Sequence, residues 1–272
     1  MDFAGTAPVP EASGAAWLTI SRSRVTDGAL SLIVVSDSGN DGAYVILDPD
    51  TGAVWESGKL PLGGPGDNLE GAAVRGGKLY AISSSGWIRV WERDGGGFKL
   101  VDGPYPIGPV DLDKGKGKKP PKSDGMVCPQ AKTNCGRNYE GLCLAPETHL
   151  GNSPCVGFAA AKADGHLYCL VERDGKLELD RTVPSIEITK PGAMADCAFS
   201  DDGTLLVGSN TFDLNAVYRV DNWRTPGSAK VVDVGSLGPG FAEVIATRGD
   251  VIYRMSDLGG SPSTMAKFRC TL

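Results

Sequence analysis

Acidic residues recur at the heads of apolar segments in this chain. Glu70 stands in Leu69-Glu70-Gly71-Ala72 and Glu140 in Tyr139-Glu140-Gly141-Leu142, while Asp196 precedes Cys197-Ala198-Phe199 and Glu243 precedes Val244-Ile245-Ala246. With Ser23 at the corresponding place in the first unit, they form one column: Ser23, Glu70, Glu140, Asp196 and Glu243. A second column, Asp37, Ser84, Asn210 and Asp257, follows fourteen residues after the first. In the third unit the stretch 148–154 interrupts this offset, and Ala163 or Asp164 takes the place. Carboxylates drawn together repel and are driven toward protonation unless a cation answers them. A set of oxygen donors without nitrogen or sulfur suits a hard cation, Ca²⁺ rather than zinc or copper. The expectation is therefore Ca²⁺ held by Ser23, Glu70, Glu140, Asp196 and Glu243. Asp37 or Asp257 would then take a proton from water as general base. Arg22, Arg24, Ser84 and Asn210 would meet a small anionic substrate. The competing reading is plainer: these acids begin strands and face solvent.

Repeated elements must bring such columns together. Residues 80–100 (YAISSSGWIRVWERDGGGFKL) and 160–177 (AAKADGHLYCLVERDGKL) share a course of strand, small polar turn, strand, and a Glu-Arg-Asp-Gly turn. Asp48-Pro49-Asp50-Thr51-Gly52 occupies the same turn in an earlier copy. Repeats of roughly 45–55 residues built of short strands are the sequence mark of a β-propeller. Five units fit, with inner strands expected to begin near Ser21, Leu69, Tyr139, Ala195 and Phe241. The fold class expected is all-β, a five-bladed β-propeller over residues 1–272, with six blades as the alternative. The fifth unit lacks a last strand, and residues 3–9 are expected to supply it, closing the ring and removing exposed sheet edges. Both columns then emerge at one mouth of the central channel.

Composition agrees with this and excludes other classes. Gly accounts for 38 of 272 residues, about double the usual share, so the chain turns often. No run of eighteen apolar residues is present to form a membrane-spanning helix. A net charge of −6 argues against a nucleic-acid partner, and a monomer is expected. Seven cysteines point to an oxidising compartment, secreted or periplasmic, with any signal peptide removed. Cys128, Cys135, Cys143 and Cys155 lack the close pairs of a structural zinc site, so one or two disulfides are expected there, with free thiols or zinc, helped by His149, as alternatives. An insertion at 111–138 carries Lys114, Lys116, Lys118, Lys119 and Lys122. It reads either as a basic flap over the mouth that attracts an anion or as a solvated loop. Neither a G-x-S-x-G elbow nor a phosphate-binding G-x-x-x-x-G-K-[ST] loop occurs.

The Leu69-Glu70-Gly71-Ala72 and Tyr139-Glu140-Gly141-Leu142 starts resemble the inner strands of calcium-dependent propeller hydrolases, which include esterase-like phytase-related proteins and the gluconolactonase group. Blade number and spacing, with the segment 74–80 (VRGGKLY), resemble more closely the five-bladed soluble calcium-activated nucleotidase (apyrase) family. The resemblance implies an axial calcium in a Ser/Glu ring matched here by Ser23, Glu70, Glu140, Asp196 and Glu243, with Asp196 replacing a smaller ligand. It departs at Ile20-Ser21-Arg22-Ser23-Arg24, where that family has an acidic stretch, and at Ser83-Ser84-Ser85-Gly86, where it has an acidic turn with arginine. The scaffold carries over; the nucleotide substrate does not. The resulting expectation is a calcium-dependent hydrolase of a small anionic ester, a phosphate ester or lactone. The alternative is a non-catalytic propeller that uses calcium structurally and its rim to bind protein or glycan.

Overall fold

In the computed structural model, residues 3–20, 29–111, 126–210, 215–238 and 240–270 are described. They form five antiparallel sheets around one axis, each a blade of a five-bladed β-propeller. Blade one runs outward through β2 (Ala12–Ile20), β3 (Ala29–Ser36), β4 (Ala43–Leu47) and β5 (Val54–Lys59). Blade two follows with β6 (Gly71–Arg75), β7 (Lys78–Ile82), β8 (Trp87–Asp94) and β9 (Gly97–Pro106). Blade three comprises β10 (Tyr139–Leu144), β11 (Gly157–Ala161), β12 (His166–Arg173) and β13 (Lys176–Leu179), with the short β14 (Ile186–Glu187) also on β12. Blade four is β15 (Met194–Phe199), β16 (Leu205–Ser209), β17 (Ala216–Asp221) and β18 (Lys230–Ser236). Blade five is β19 (Ala242–Arg248), β20 (Val251–Ser256) and β21 (Pro262–Arg269), and its fourth strand is β1 (Phe3–Pro10) from the other end of the chain.

Local sequence explains these strands. Leu32, Ile33, Val34 and Val35 in β3 are all fully buried, because a second strand is covered on both faces by neighbouring blades. The repeated Glu-Arg-Asp-Gly segment makes the hairpin between third and fourth strands. In blade three Arg173 pairs with Lys176 around Asp174 (φ 51°) and Gly175 (φ 75°), both in the left-handed conformation that tight hairpins require.

One assignment needs correction. Blade one's inner strand does not begin near Ser21: it is Ala12–Ile20, and Ser13 stands at its head where Ser23 was expected. The N-terminal segment supplies two strands to two blades. Ser23, Arg22 and Arg24 follow β2 and lie outside the described residues, as do the five insertion lysines. Asp111 and residues 126–138 of the insertion are described, and they lie along blade two's mouth turn, with the Cys128 N–H on the Ser85 carbonyl at 3.0 Å.

The cysteines form three disulfides, Cys128–Cys135, Cys143–Cys197 and Cys155–Cys169, and leave Cys270 half-buried as a thiol. That resolves the zinc and disulfide alternatives in favour of disulfides, as expected of a chain that folds in an oxidising environment. Cys143–Cys197 ties the inner strands of blades three and four together. No helix among the described residues is long and apolar enough to cross a membrane.

The inner strands meet at a single level of glycine. A Cβ on Gly71 would lie 2.0 Å from the Leu142 nitrogen, and one on Gly14 would lie 2.5 Å from the Glu70 carbonyl oxygen. A Cβ on Gly141 would meet the Asp196 carboxylate and the Cys197 nitrogen at 2.9 Å. This backbone-to-backbone approach is the physical reason for the recurrent Glu-Gly pair. Gly71→Ala should therefore destabilise the protein by about 2 kcal/mol or more, since a packed backbone cannot yield to the methyl. Gly96→Ala, at an open turn with nothing within 4 Å of the added methyl, should stay within about 0.5 kcal/mol. Urea unfolding of the two variants checks the contrast.

Candidate functional site: the acidic mouth

Each inner strand presents its ring residue at the glycine level, and in four blades a break in strand register aims it. The ladder slips between Ala12 and Gly14, Tyr139 and Gly141, Met194 and Cys197, and Ala242 and Val244. A bulge of this kind re-aims the side chain at the slip. In blade two, Glu70 instead sits directly ahead of β6, its N–H on the Ile82 carbonyl at 2.8 Å. The backbone enters three of these strands through left-handed residues, Glu11 (φ 50°), Asn138 (φ 50°) and Phe241 (φ 54°). Such non-glycine conformations are uncommon and concentrate at functional sites.

The side chains form two polar clusters. In the first, Ser13 Oγ donates to Glu70 Oε2 at 2.6 Å, and Asn68 Nδ2 donates to Glu70 Oε1 at 2.7 Å and Asp37 Oδ1 at 2.6 Å. Ser84 is fully buried: its N–H and hydroxyl both donate to Asn68 Oδ1, and its Oγ accepts the Asn134 N–H of the insertion at 3.2 Å. In the second, Asn138 Nδ2 donates to Glu140 Oε1 at 2.7 Å, and Asn210 Nδ2 donates to Glu243 Oε1 at 2.7 Å. Lys162 joins that cluster, its ammonium 3.2 Å from Glu140 and 3.6 Å from Glu243. Asp257 stands at the rim, half-buried, with its Oδ1 accepting the Gly259 N–H at 2.7 Å. Phe241, beside it, is 52% exposed.

Asp196 shares the column but is differently employed. Its Oδ1 accepts the Cys197 N–H at 2.7 Å and its Oδ2 the Ile245 N–H of blade five at 3.2 Å. It lies in the seam between blades four and five, where four apolar residues, Leu206, Val217, Ile245 and Ile252, form the buried cluster. The fully buried Arg254 is in this seam too, its Nη2 on the carbonyls of Ser209 (3.0 Å) and Ala242 (2.8 Å). Burial pushes the Asp196 carboxyl well above the usual range, against its two N–H donors and Arg254.

Among the described residues negative charge exceeds positive at the mouth, and proton affinities register this. Burial, then repulsion from Glu140 and Asp37, holds Glu70 well above the ordinary carboxylate value. Burial raises Glu140 to about 8; Lys162 opposes this and Glu243 adds to it. Burial also raises Glu243 and Asp37, with Asp257 contributing repulsion to both. Burial alone would lower Lys162, but Glu140 and Glu243 outweigh it and hold the ammonium charged.

Of the residues expected from sequence, Asp37, Glu70, Glu140, Asn210, Glu243 and Asp257 reach the mouth, and Ser84 lies beneath the insertion. Sequence reasoning missed Ser13, Asn68, Asn138 and Lys162. Two of these carried a signal: Asn68-Leu69-Glu70 and Asn138-Tyr139-Glu140 repeat one Asn-x-Glu-Gly pattern. The second-column position in blade three is Lys162, directly after β11, rather than Ala163 or Asp164.

The donors suit a hard cation in kind. They are carboxylate, hydroxyl and amide oxygens, and Asn138 Oδ1 is buried without a hydrogen-bond partner. Among the described residues, however, no three acidic, histidine or cysteine side chains converge as a metal-binding group, and Lys162 stands between Glu140 and Glu243.

No family profile matches the chain, and no curated protein matches it in sequence. Solved structures do match in fold. Over 98% of its length the chain superposes on 97% of the glutaminyl cyclase of Myxococcus xanthus, at 14% identity and a TM-score of 0.51. It superposes equally over 98% of the aldose sugar dehydrogenase of Streptomyces coelicolor in its PQQ-bound form (15% identity, TM-score 0.51). Against a luciferin-regenerating enzyme, 97% of this chain covers 94% of that one, at 11% identity and a TM-score of 0.50. At such identity the likeness establishes the propeller architecture, and function is argued from the site itself.

The mouth makes stability depend on pH. Glu140 has a proton affinity near 8 when folded against an ordinary 4.5, so the folded chain binds protons that the unfolded chain has released. Without a divalent cation, its stabilising contribution is full below pH 4.5 and is lost as pH rises to about 8. The slope expected from this group is about 1.4 kcal/mol per pH unit. Lys162→Met should carry the loss to higher pH and cost more stability at pH 8 than at pH 5. Urea unfolding across that range in chelator measures both effects.

Proposed function

We propose that the acidic mouth is the active site of a secreted or periplasmic calcium-dependent hydrolase acting on a small anionic ester, a phosphate ester or lactone. One observation carries the reading: among the described residues, Glu70, Glu140, Glu243 and Asp37, buried or half-buried and all with raised proton affinity, share the mouth with one ammonium, that of Lys162. That excess of charge calls for a cation. Glu70, Glu140 and Glu243 would hold Ca²⁺, with Ser13 in the first-blade position and amide oxygens such as that of Asn138 completing the shell. The resemblance of the Glu-Gly strand starts to calcium-dependent propeller hydrolases supports the same choice. When bound, the ion would polarise a phosphoryl or carbonyl oxygen.

The chain's own groups supply the rest. Asp37 has a raised proton affinity and one carboxylate oxygen held by Asn68, so it is suited to accept a proton from water. Asp257, on the adjacent blade five, is the second candidate base. Lys162 supplies an ammonium for an anionic oxygen of the substrate, and Asn210 and the insertion beside Ser84 bound the mouth. Phe241 offers an aromatic rim.

A second reading has its own support. Every ring carboxylate is already engaged by an amide, hydroxyl, ammonium or backbone donor, which suits a mouth that holds the ring together while the rim binds protein or glycan. Thermal melting with calcium and with chelator, run beside turnover of phosphate-ester and lactone panels, separates the two. Calcium should raise the melting temperature and support turnover. Asp37→Asn should lower kcat by about 100-fold or more while leaving calcium stabilisation in place. Stabilisation without turnover on any substrate would favour the binding role, and absence of any calcium effect would remove the metal from both.

A further inference from the structure

The inner strands that carry the acid ring also wall a second site at the other end of the axis. Past the glycine level, residues along four of these strands become small: Ala15 and Ala16 in β2, Ala72 and Ala73 in β6, Ala198 in β15 and Ala246 in β19. Methyl groups cannot fill the space between five diverging strands, and they leave a cavity of about 280 Å³. Larger apolar groups close its sides, among them Trp17, Leu30, Leu144 and Phe199. Interiors are otherwise closely packed, and a concave, mainly apolar site of this kind suits an apolar guest. The volume falls just under the ~300–1,000 Å³ typical of small-molecule pockets.

The rim supplies the second half of the chemistry. Its polar groups are almost all committed within the protein. The Ser200 hydroxyl donates to Asp202, and Thr247 Oγ1 donates to the Val251 carbonyl at 3.2 Å. Trp17 Nε1 donates to the Thr247 carbonyl at 2.7 Å, and the Asp201 carboxylate accepts the Gly249 N–H at 3.1 Å. Arg248 differs. It is exposed, its guanidinium lies 5.8 Å over the Trp17 ring, and it makes no ion pair among the described residues. A mainly apolar chamber that, among the described residues, has one available cation at its entrance matches a molecule of complementary build.

We propose that this cavity binds a compact monocarboxylic acid with an apolar body, the body lying among the alanines and the carboxylate on Arg248. The site is separate from the acidic mouth: Ser13 and Trp17 are four residues apart on β2, roughly 13 Å at strand rise. It stands whether or not the mouth is catalytic.

Calorimetric titration of the full chain with octanoate and with 1-octanol, both in chelator, tests the proposal, with tryptophan fluorescence as a second signal. Both probes should bind and change the fluorescence. Arg248→Gln should weaken octanoate about tenfold, as expected for one charge-assisted contact, and change 1-octanol by less than about twofold. Ala73→Leu fills the chamber and should abolish binding of both; Ala246→Leu fills it from a different blade, should the first variant fail to fold. No response to either probe at millimolar concentration would overturn the proposal. So would binding that survives in a folded, cavity-filled variant.

Discussion

Five inner strands approach one axis so closely that at Gly14, Gly71 and Gly141 the neighbouring backbone occupies the place of a side chain. Much else depends on that approach. It fixes the level at which Ser13, Glu70, Glu140, Asp196 and Glu243 must crowd together, and it takes them out of water. Burying one carboxylate is costly, and burying several side by side adds repulsion to desolvation. The closeness that seals the ring is thus also the source of the unusual electrostatics at its mouth. In blade four, Cys197 follows the acid where the other blades have glycine or valine, and its bond to Cys143 adds a covalent tie between adjacent inner strands.

The molecule answers the crowding by several means. Three asparagines aim amide hydrogens at carboxylates, Lys162 adds one positive charge between Glu140 and Glu243, and Asp196 retreats into a seam where backbone N–H groups and Arg254 receive it. The two ends of the axis are consequently opposite in character. One end is charged and tightly hydrogen-bonded; the other is apolar and hollow, because the same strands change from acids to alanines along their length.

Much of this was legible in the sequence, for physical reasons that can be traced. Blade number, most second and third strands, and the closing role of the N-terminal segment followed from short apolar runs separated by Asp-Gly turns, which are local signals. The acid column was legible wherever a Glu-Gly or Asp-Cys pair marked the inner strand. Blade one misled because its inner strand, Ala12-Ser13-Gly14-Ala15-Ala16, lacks both an acid and a run of large apolar residues. A constant offset of fourteen then selected Ser23, though the distance from Ser13 to Asp37 is longer by the residues that follow β2. The same reliance on spacing hid Lys162, because the 148–154 stretch lengthens its unit. The Asn68 and Asn138 contacts depend on tertiary packing, and the alanine-lined chamber depends on what all five strands leave unfilled. Neither property belongs to any one segment.

The closure of blade five has a mechanical consequence. β1 lies antiparallel to β21 with Phe3 opposite Lys267, so the first and last strands leave the sheet at the same end. Tension applied through both termini would load these bonds in sequence, like a zipper, rather than all at once in shear. A ring held shut against heat by its full seam would therefore open under a modest pull. The first event would be the release of one strand, with the acidic mouth's blade-to-blade contacts still in place.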